Sequence, residues 1–343
     1  MKPTQSKDSI APWFVAAEAV GEYIGIRFGR IPPGETSPEW IFLRHTDVDG
    51  IGGFAKILRE RGVDLPVLPQ IHHPADPSWL SPLKLIRKMA KPQRRIAWAP
   101  MDKGSSIAAA DSEGPPAVAW HVFTEDSTTQ IKRICRKTQV TVNSFLLKSL
   151  TKAIRPFLKD HASDVPWMIP VNLRGKISQP EDTGNHSSYV GVRIKSFETV
   201  ADVHAKIYAA LNQGDHWANW SGYGLGCILT DKLRQNLVAS GKCMSQWNLG
   251  SFSNLGAWDS DNEISNPSCD GSWLFTPPVL RCQHLGIGCV TFKNRMSLTI
   301  QAHSDLTTNP DVPKEWIKSW VKEIEMDLVS VLSSSSNIPI IAA

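Results

Sequence analysis

The chain has 343 residues, enough for two ordinary domains or for one large two-lobed domain. Its 37 basic and 33 acidic residues leave a net charge of only +4, which gives no electrostatic footprint for nucleic acid. With 41% hydrophobic and 20% charged residues, the composition is that of a soluble globular protein and excludes a disordered or fibrous chain.

Neither end of the sequence carries a targeting or anchoring signal. The N-terminal residues, MKPTQSKDSIAPWF, lack the apolar core of a secretory signal. No uncharged apolar run approaches the roughly 18–20 residues that cross a bilayer. The six cysteines have no regular spacing, so we expect them to be reduced and mostly buried. These features predict a cytoplasmic protein without a membrane span.

The first predicted elements are two strands and a helix. Apolar, β-forming residues predict strands over 22–29 and 39–45, separated by a Pro-Pro-Gly turn. Helical spacing of apolar residues predicts a helix over 51–62, which Gly62 is placed to end. The proline-rich stretch 63–125 is predicted to be a long crossing segment, with one amphipathic stretch near 79–90.

A clearer helical unit follows. Ser127 is predicted to cap one helix, and the helix over 141–159 has a wide apolar face that indicates burial. Strands are then expected over 165–174 and 187–197, and an amphipathic helix over 200–214.

The last third of the chain is predicted to be mainly strand. We expect a strand with a turn over 248–256, a hairpin over 285–305 that turns near Lys293-Asn294, and a final helix after Pro313. Strands that alternate with helices indicate a mixed α/β fold. Because no linker divides the chain, two lobes that share a sheet are expected, over 1–125 and 126–343.

Several familiar motifs are incomplete here. Gly222–Cys227 has cysteine where a dinucleotide fingerprint needs its third glycine. The segment from His45 to Gly50 resembles the start of a calcium loop, but position 12 is Lys56. The pair His72-His73 has no third ligand at suitable spacing, so a surface loop is favoured over a metal site. No metal is therefore predicted.

One segment, Ile41 to Gly50, indicates chemistry. A strand carries His45 to its end, the chain turns at Asp49-Gly50, and a helix returns onto the sheet. Histidine titrates near pH 6.5 when unperturbed, so a neutral His45 could take a proton from a hydroxyl or an amine. Taken alone, the segment is more simply explained as an Asp-Gly turn beside a half-buried histidine.

Three further segments favour a catalytic role for His45 over a simple turn. Arg44-His45-Thr-Asp-Val-Asp49-Gly50 resembles the HHxxxDG motif of the chloramphenicol acetyltransferase-like superfamily, which includes condensation domains and alcohol acyltransferases. The segments over 140–154, over 169–176 with Gly184-Asn185, and over 252–259 are similar to later segments of that superfamily, in the same order. The resemblance spans roughly residues 20–330 and is closest to the alcohol acyltransferases.

The resemblance implies a two-lobed α/β sandwich with a tunnel between the lobes. It implies that His45 is the general base and that Ser253 or Asn254 donates to the oxyanion. Asp49 would form a structural ion pair with Arg174 that holds the His45 loop. The remaining assignments are that Gly50 completes the Asp-Gly turn, that Asn185 either lines the donor channel or turns its loop, and that Asp305 is structural.

The activity implied is transfer of an acyl group to a small hydroxyl or amine acceptor. The donor would be a thioester of CoA or of the phosphopantetheine on a carrier protein, with no permanently bound cofactor. This is the chemistry of secondary metabolism, and small-molecule acceptor and carrier protein are the expected partners.

Two departures from the motif leave an alternative open. Arg44 replaces the first histidine, and a cation there would lower the pKa of His45. The motif also comes early in the chain, without room for the usual first helix and its strands. Either the N-terminal lobe is abbreviated, or a second subunit completes the site, which favours a homo-oligomer.

The alternative is a catalytically inactive member of the same fold that serves as a scaffold or binding subunit. A metal-dependent hydrolase is a third reading, which no spacing supports.

Overall fold

The computed structural model describes residues 10–22, 24–70, 75–78, 80–89, 96–101, 117–159, 164–240, 249–258 and 267–336. The helices within these ranges are α1 (Ala11–Ala19), α2 (Gly50–Glu60), α3 (Ser81–Met89), α4 (Glu125–Lys137), α5 (Val142–Ile154), α6 (Val200–Asn212), α7 (Asp215–Gly226), α8 (Asp231–Ala239) and α9 (Asp311–Ser336). The strands are β1 (Gly25–Ile31), β2 (Glu39–Arg44), β3 (Val118–Val122), β4 (Asp164–Asn172), β5 (Ser187–Lys195), β6 (Gly250–Trp258), β7 (Ser272–Thr276), β8 (Leu285–Phe292) and β9 (Arg295–Ala302).

These strands form two sheets, and together with the helices they confirm the predicted mixed α/β class. The smaller sheet is antiparallel, with the order β2-β1-β7. The larger sheet has the order β3-β9-β8-β6-β4-β5 and is mixed, because β6 runs parallel to both β8 and β4. The N-terminal lobe, with its three-stranded sheet, is therefore the smaller of the two.

Each sheet takes one strand from the other side of residue 125. β7 pairs with β1, so that Phe28 lies opposite Phe275, although almost 250 residues separate them. β3 precedes residue 125 and pairs with β9. The predicted domain boundary stays a prediction, and the two lobes are interlocked.

Strand β7 crosses the larger sheet in close contact with its backbone. A Cβ at Gly288 would lie 1.7 Å from the carbonyl oxygen of Phe275, so only glycine permits this approach. Ser297 and Thr299 donate their hydroxyls to the carbonyls of Trp273 and Phe275. Side chains of the larger sheet thus satisfy backbone carbonyls of β7, and the crossing places the following residues, 277–283, beside the lobe interface.

Two hydrophobic clusters hold the lobes. The larger one lies between the six-stranded sheet and helices α4, α5, α6 and α9, and includes the fully buried Trp167, Trp316 and Trp320. The smaller one packs α2 against β1 and β7, around Phe28 and Phe54. Both clusters contain residues of β6 and β8, so these two strands join the lobes.

The helix α1 had no predicted counterpart. It spans Ala11–Ala19, with proline in its first turn. Its residues are apolar on nearly all sides, so the sequence shows no amphipathic period that would identify a helix.

Several boundaries also differ from the predictions. Thr124, and not Ser127, caps α4, since the Thr124 hydroxyl accepts from the Ser127 amide. Helix α9 begins at Asp311, before Pro313, because proline is tolerated in a first turn. β3, β7, α7 and α8 had no predicted counterpart.

In the part of the chain that the structure describes, no helix is both long and apolar enough to cross a membrane.

Candidate functional site

His45 lies where β2 ends and the chain turns toward α2. Its backbone amide donates to the carbonyl of Ile24 at 3.3 Å, which continues the β1–β2 ladder by one residue. Val48 and Asp49 are buried, and Asp49 is the N-cap of α2. The loop between strand and helix is therefore short and anchored at both ends, and it presents a half-buried imidazole at the edge of the smaller sheet.

A backbone carbonyl fixes the tautomer of His45. The distance between His45 Nδ1 and the carbonyl oxygen of Val48 is 2.8 Å. Since a carbonyl can only accept, Nδ1 must carry the proton. In the neutral ring, Nε2 is then the basic nitrogen. This hydrogen bond commits Nδ1 to the loop.

Phe14 of α1 stacks on the His45 ring, a contact that the sequence did not reveal. The ring centroids lie 4.5 Å apart and the planes are inclined by 26°. Trp13, the neighbouring residue, holds α1 in place by donating to the carbonyl of Tyr223 on α7. The histidine ring is therefore held in its plane by an aromatic face and along its edge by the Val48 carbonyl.

Asp49 and Arg174 form a buried, bidentate ion pair. Arg174 Nη1 lies 2.9 Å from Asp49 Oδ2, and Nη2 lies 2.9 Å from Oδ1. Each side chain is only 5% exposed. The same carboxylate accepts from the amides of Gly52 and His186, at 2.8 Å each. Asp49 thus accepts four hydrogen bonds, which matches the capacity of an ionised carboxylate.

Arg174 is equally saturated. Besides Asp49, its guanidinium donates to the carbonyls of Asp182 and Gly184 and to Asn172 Oδ1. All five N–H donors are therefore used. Gly52 makes room for the pair, because a Cβ there would lie 2.8 Å from Arg174 Nη2 and 1.9 Å from a backbone oxygen.

Asn185 faces the His45 loop. Its amide nitrogen donates to the His45 carbonyl at 3.1 Å, and its oxygen accepts from the amide and hydroxyl of Ser187. The side chain is 2% exposed and does not line the cavity described below. Of the two roles the sequence left open, the contacts correspond to the one in the loop.

Arg44, which replaces the first histidine of the motif, points to the other side of β2. Its guanidinium donates to Glu18 of α1 at 2.7 Å, and its side chain is 55% exposed. The substitution therefore joins α1 to the strand that carries His45. Its expected effect on the pKa of His45 stays a prediction, with the Glu18 carboxylate now close to the cation.

His45 opens onto a cavity of about 150 Å³ between the lobes. Its walls come from α1, from β1 and the segment after β7, from α7, and from strands β4, β5 and β6. Gly50 also lines it, and a Cβ there would lie 2.6 Å from Leu255 Cδ2. A void of this size accepts a group about as large as a benzene ring.

The two predicted oxyanion donors differ in position. Ser253 and Asn254 are adjacent on β6, and both contact the cavity. The Asn254 side chain donates to Asn143 of α5 at 2.6 Å and accepts from the Gly256 amide. Ser253 makes no such contact within the described residues and is 8% exposed. Its hydroxyl is therefore the better placed donor of the two.

Two other reactive groups near the cavity stay protonated at neutral pH. Cys289 on β8 lies opposite Asn254, and burial raises the pKa of its thiol. Burial also raises the pKa of Tyr223, which lines the cavity. Neither residue supplies an anionic nucleophile, which leaves His45 as the basic group on the cavity wall.

The remaining predicted residues lie apart from this site. Asp305 is close to His303 and Arg281, outside the cavity. His72-His73 lies outside the described residues. Among those described, no three His, Cys, Asp or Glu side chains are grouped as metal ligands.

This chain matches known proteins in structure but not in sequence. No family model and no curated protein sequence matches this chain. Among solved structures, trichothecene 15-O-acetyltransferase TRI3 from Fusarium sporotrichioides is similar with a TM-score of 0.52 and 14% identity, over 94% of this chain and 75% of that one.

Two other structures are similar over most of this chain. Polyketide synthase associated protein 5 from Mycobacterium tuberculosis has a TM-score of 0.51 and 13% identity, over 85% of this chain and 73% of that one. The EpoB cyclization-docking bidomain of a nonribosomal peptide synthetase from Sorangium cellulosum has a TM-score of 0.52 and 14% identity, over 83% and 59%. At these identities, the likeness establishes a shared fold.

Proposed function

We propose that this chain, which has the chloramphenicol acetyltransferase-like fold of condensation domains, is an acyltransferase that uses His45 as its general base. The donor is a thioester of CoA or of a carrier-protein phosphopantetheine, and the acceptor is a small hydroxyl or amine. The observation that carries the proposal is the hydrogen bond from His45 Nδ1 to the Val48 carbonyl, which leaves Nε2 basic on a cavity wall.

The residues on the cavity wall fit the steps of acyl transfer. Nε2 of His45 takes the acceptor proton as the acceptor oxygen or nitrogen attacks the thioester carbonyl. The tetrahedral oxyanion then accepts a hydrogen bond from the Ser253 hydroxyl. Collapse breaks the carbon–sulfur bond, and the leaving thiolate takes the proton back from His45. No covalent acyl-enzyme is required, in keeping with the protonated state of Cys289.

The reaction requires a histidine whose ring does not rotate. The Val48 carbonyl, the Phe14 ring and the Asn185 amide bond to the loop backbone all restrict it. The buried Asp49–Arg174 pair fixes the start of α2, directly after the loop. This preorganisation keeps the base in one orientation for attack.

The test is thiol release. Purified wild type and His45→Ala are given acyl-CoA and acyl-pantetheine thioesters of several chain lengths, with a pooled small-molecule extract as acceptor, and free thiol is measured. Loss of a general base typically lowers the rate by about 10²–10⁴-fold. We expect a fall of that size in kcat, with a melting temperature lowered by only a few degrees, because the variant loses the Phe14 and Val48 contacts of a half-buried ring.

His121→Ala is the matched control. His121 on β3 is also partly buried, but it packs against Phe123 and does not line the cavity. Its removal should leave thiol release unchanged. Equal rates from wild type and His45→Ala would remove His45 as the base. No release from the wild type with any donor would favour an inactive scaffold instead.

A further inference from the structure

Two buried polar atoms on the cavity wall have no hydrogen-bond partner within the described part of the chain. They are Oγ of Ser251, on β6, and Oε1 of Gln283, between β7 and β8. Ser251 is 1% exposed and Gln283 is 3% exposed, and both line the cavity. Buried polar groups in folded proteins are nearly always paired, so each exception requires an explanation.

Rigid backbone holds both side chains. Ser251 lies opposite Gly286 of β8 and Met168 of β4, in the middle of the larger sheet. Gln283 exchanges two backbone hydrogen bonds with Leu280, at 2.9 and 3.0 Å, which closes a tight turn. The backbone at both positions is therefore fixed and both side chains are almost fully buried, so a partner has to come to the two polar atoms.

A ligand in the cavity could supply the missing hydrogen-bond partner. Beside these two residues, its wall is formed by the apolar side chains of Ile24, Met168 and Leu280. Asp49 is the one charged residue among the described residues that line it, and it is paired with Arg174. A charged ligand group would find no counter-ion here. A hydroxyl could accept from Ser251 and donate to Gln283 Oε1, whereas a carbonyl oxygen could only accept.

The position of Ser251 sets the distance between a group bound there and the reacting atom of the substrate. Ser251 and Ser253 are two residues apart on one strand, so their side chains lie on the same face, about 6.6 Å apart. Ser253 is the residue placed next to the reacting carbonyl in the proposed mechanism. A group bound at Ser251 therefore lies about four or five bonds from the atom that reacts.

We propose that Ser251 and Gln283 form a polar subsite that binds a neutral hydroxyl of a compact and otherwise apolar substrate. The inference rests on the proposed function, because it takes His45 and Ser253 as the reacting centre. The oxygen is carried either by the acceptor or by the acyl chain of the donor. In both cases the substrate class is an oxygenated, small apolar group, and not a simple alkyl group.

The experiment compares probes that differ by one oxygen at this spacing. The acceptor pair is 1-butanol and 1,4-butanediol, and the donor pair is pentanoyl-CoA and 5-hydroxypentanoyl-CoA. For each pair, kcat/KM gives a preference ratio. Because one neutral hydrogen bond is at stake, we expect wild type to prefer the oxygenated member of one pair by about tenfold. The pair that shows the preference identifies which substrate carries the oxygen.

Ser251→Ala and Gln283→Met remove the polar atoms with little change in shape, and each should bring that ratio to about one. Thr276→Val is the matched control. Thr276 Oγ1 is also buried and without a partner among the described residues, but it does not line the cavity. That variant should keep the wild-type ratio. A wild-type ratio near one for both pairs, with measurable turnover, overturns the subsite.

Dissociation constants of the same four probes, measured by ligand-observed NMR titration, separate this inference from the proposed function. A preference for one oxygenated probe that Ser251→Ala abolishes, in a protein that releases no thiol, supports the subsite and contradicts acyl transfer. Equal dissociation constants for both members of each pair, in wild type, overturn the subsite.

Discussion

The ion pair that anchors the His45 loop and the cavity wall around Ser251 differ in how fully their polar atoms are paired. In the ion pair, Asp49 accepts four hydrogen bonds and Arg174 uses all five of its donors. On the cavity side, the buried polar atoms of Ser251 and Gln283 have no partner within the described residues. Both regions are buried to a similar degree, so exposure does not explain the difference.

The difference indicates that the ion pair supports the loop and that the unpaired atoms recognise the substrate. A saturated network such as Asp49–Arg174 has no capacity left for a ligand, and it holds the loop in one conformation. Unpaired atoms in a rigid wall destabilise the empty protein and gain a partner only when the cavity is filled. Folding should therefore depend on the first region, and substrate preference on the second.

The largest expected effect is on folding, when Arg174 is removed. Arg174→Ala leaves the Asp49 carboxylate buried without its counter-ion, which typically costs about 3–5 kcal/mol. We expect a fall of this size in the free energy of unfolding, measured by urea denaturation. Arg193→Ala is the control, since Arg193 pairs with Asp164 at 3.4 Å where both side chains are over a quarter exposed. Its loss should cost about 0–1 kcal/mol.

A soluble Arg174→Ala protein with the wild-type unfolding curve would contradict the supporting role of the pair. A small loss of stability with a large loss of activity would also contradict it, because the pair would then belong to the reacting region.

A smaller effect, on kcat, is expected when the aromatic contact between Phe14 and His45 is removed. Phe14→Ala deletes the ring that stacks on His45 at 4.5 Å. Aromatic pairs of this kind contribute about 0.5–1.5 kcal/mol, which corresponds to about a 2- to 10-fold fall in kcat if the ring orients the base. Val15→Ala, on the same helix and 54% exposed, should leave kcat unchanged. Identical kcat values for Phe14→Ala and Val15→Ala would show that the stacking has no positioning role.

The sequence predicted the His45 loop better than the cavity around it. His45, Asp49 and Gly50 are contiguous, and Arg174 closes a strand that apolar alternation had already indicated. The structure brings these residues together. The strands β1, β2, β4 and β5 were expected for the same reason, since each has several consecutive apolar or alternating residues.

The cavity could not be predicted, because its walls come from short elements whose partners are remote in the chain. β7 has five residues and pairs with a strand almost 250 positions earlier. Helix α1 is apolar on nearly all sides and shows no period. Ser251 is one serine among many until β8 and β4 enclose it. Burial decides its role, and burial is a property of the folded chain.

The smallest expected effect is at Arg44, on the outer face of β2. Glu18 lies 2.7 Å from this guanidinium and supplies the opposite charge, so the field of Arg44 at His45 is largely cancelled. Arg44→Gln should therefore keep the wild-type melting temperature, and the acid limb of its pH profile of kcat/KM should shift only slightly, to higher pH, because Glu18 is left unpaired. If Arg44 acted directly on His45, its removal would raise the pKa of the base much more and give a large shift in the same direction. Glu18→Gln gives the complementary outcome, because an unpaired Arg44 disfavours the imidazolium and should shift the limb slightly to lower pH. A large shift in Arg44→Gln would place this residue with the reacting region, and the substitution of the first motif histidine would then have a direct electrostatic effect on catalysis.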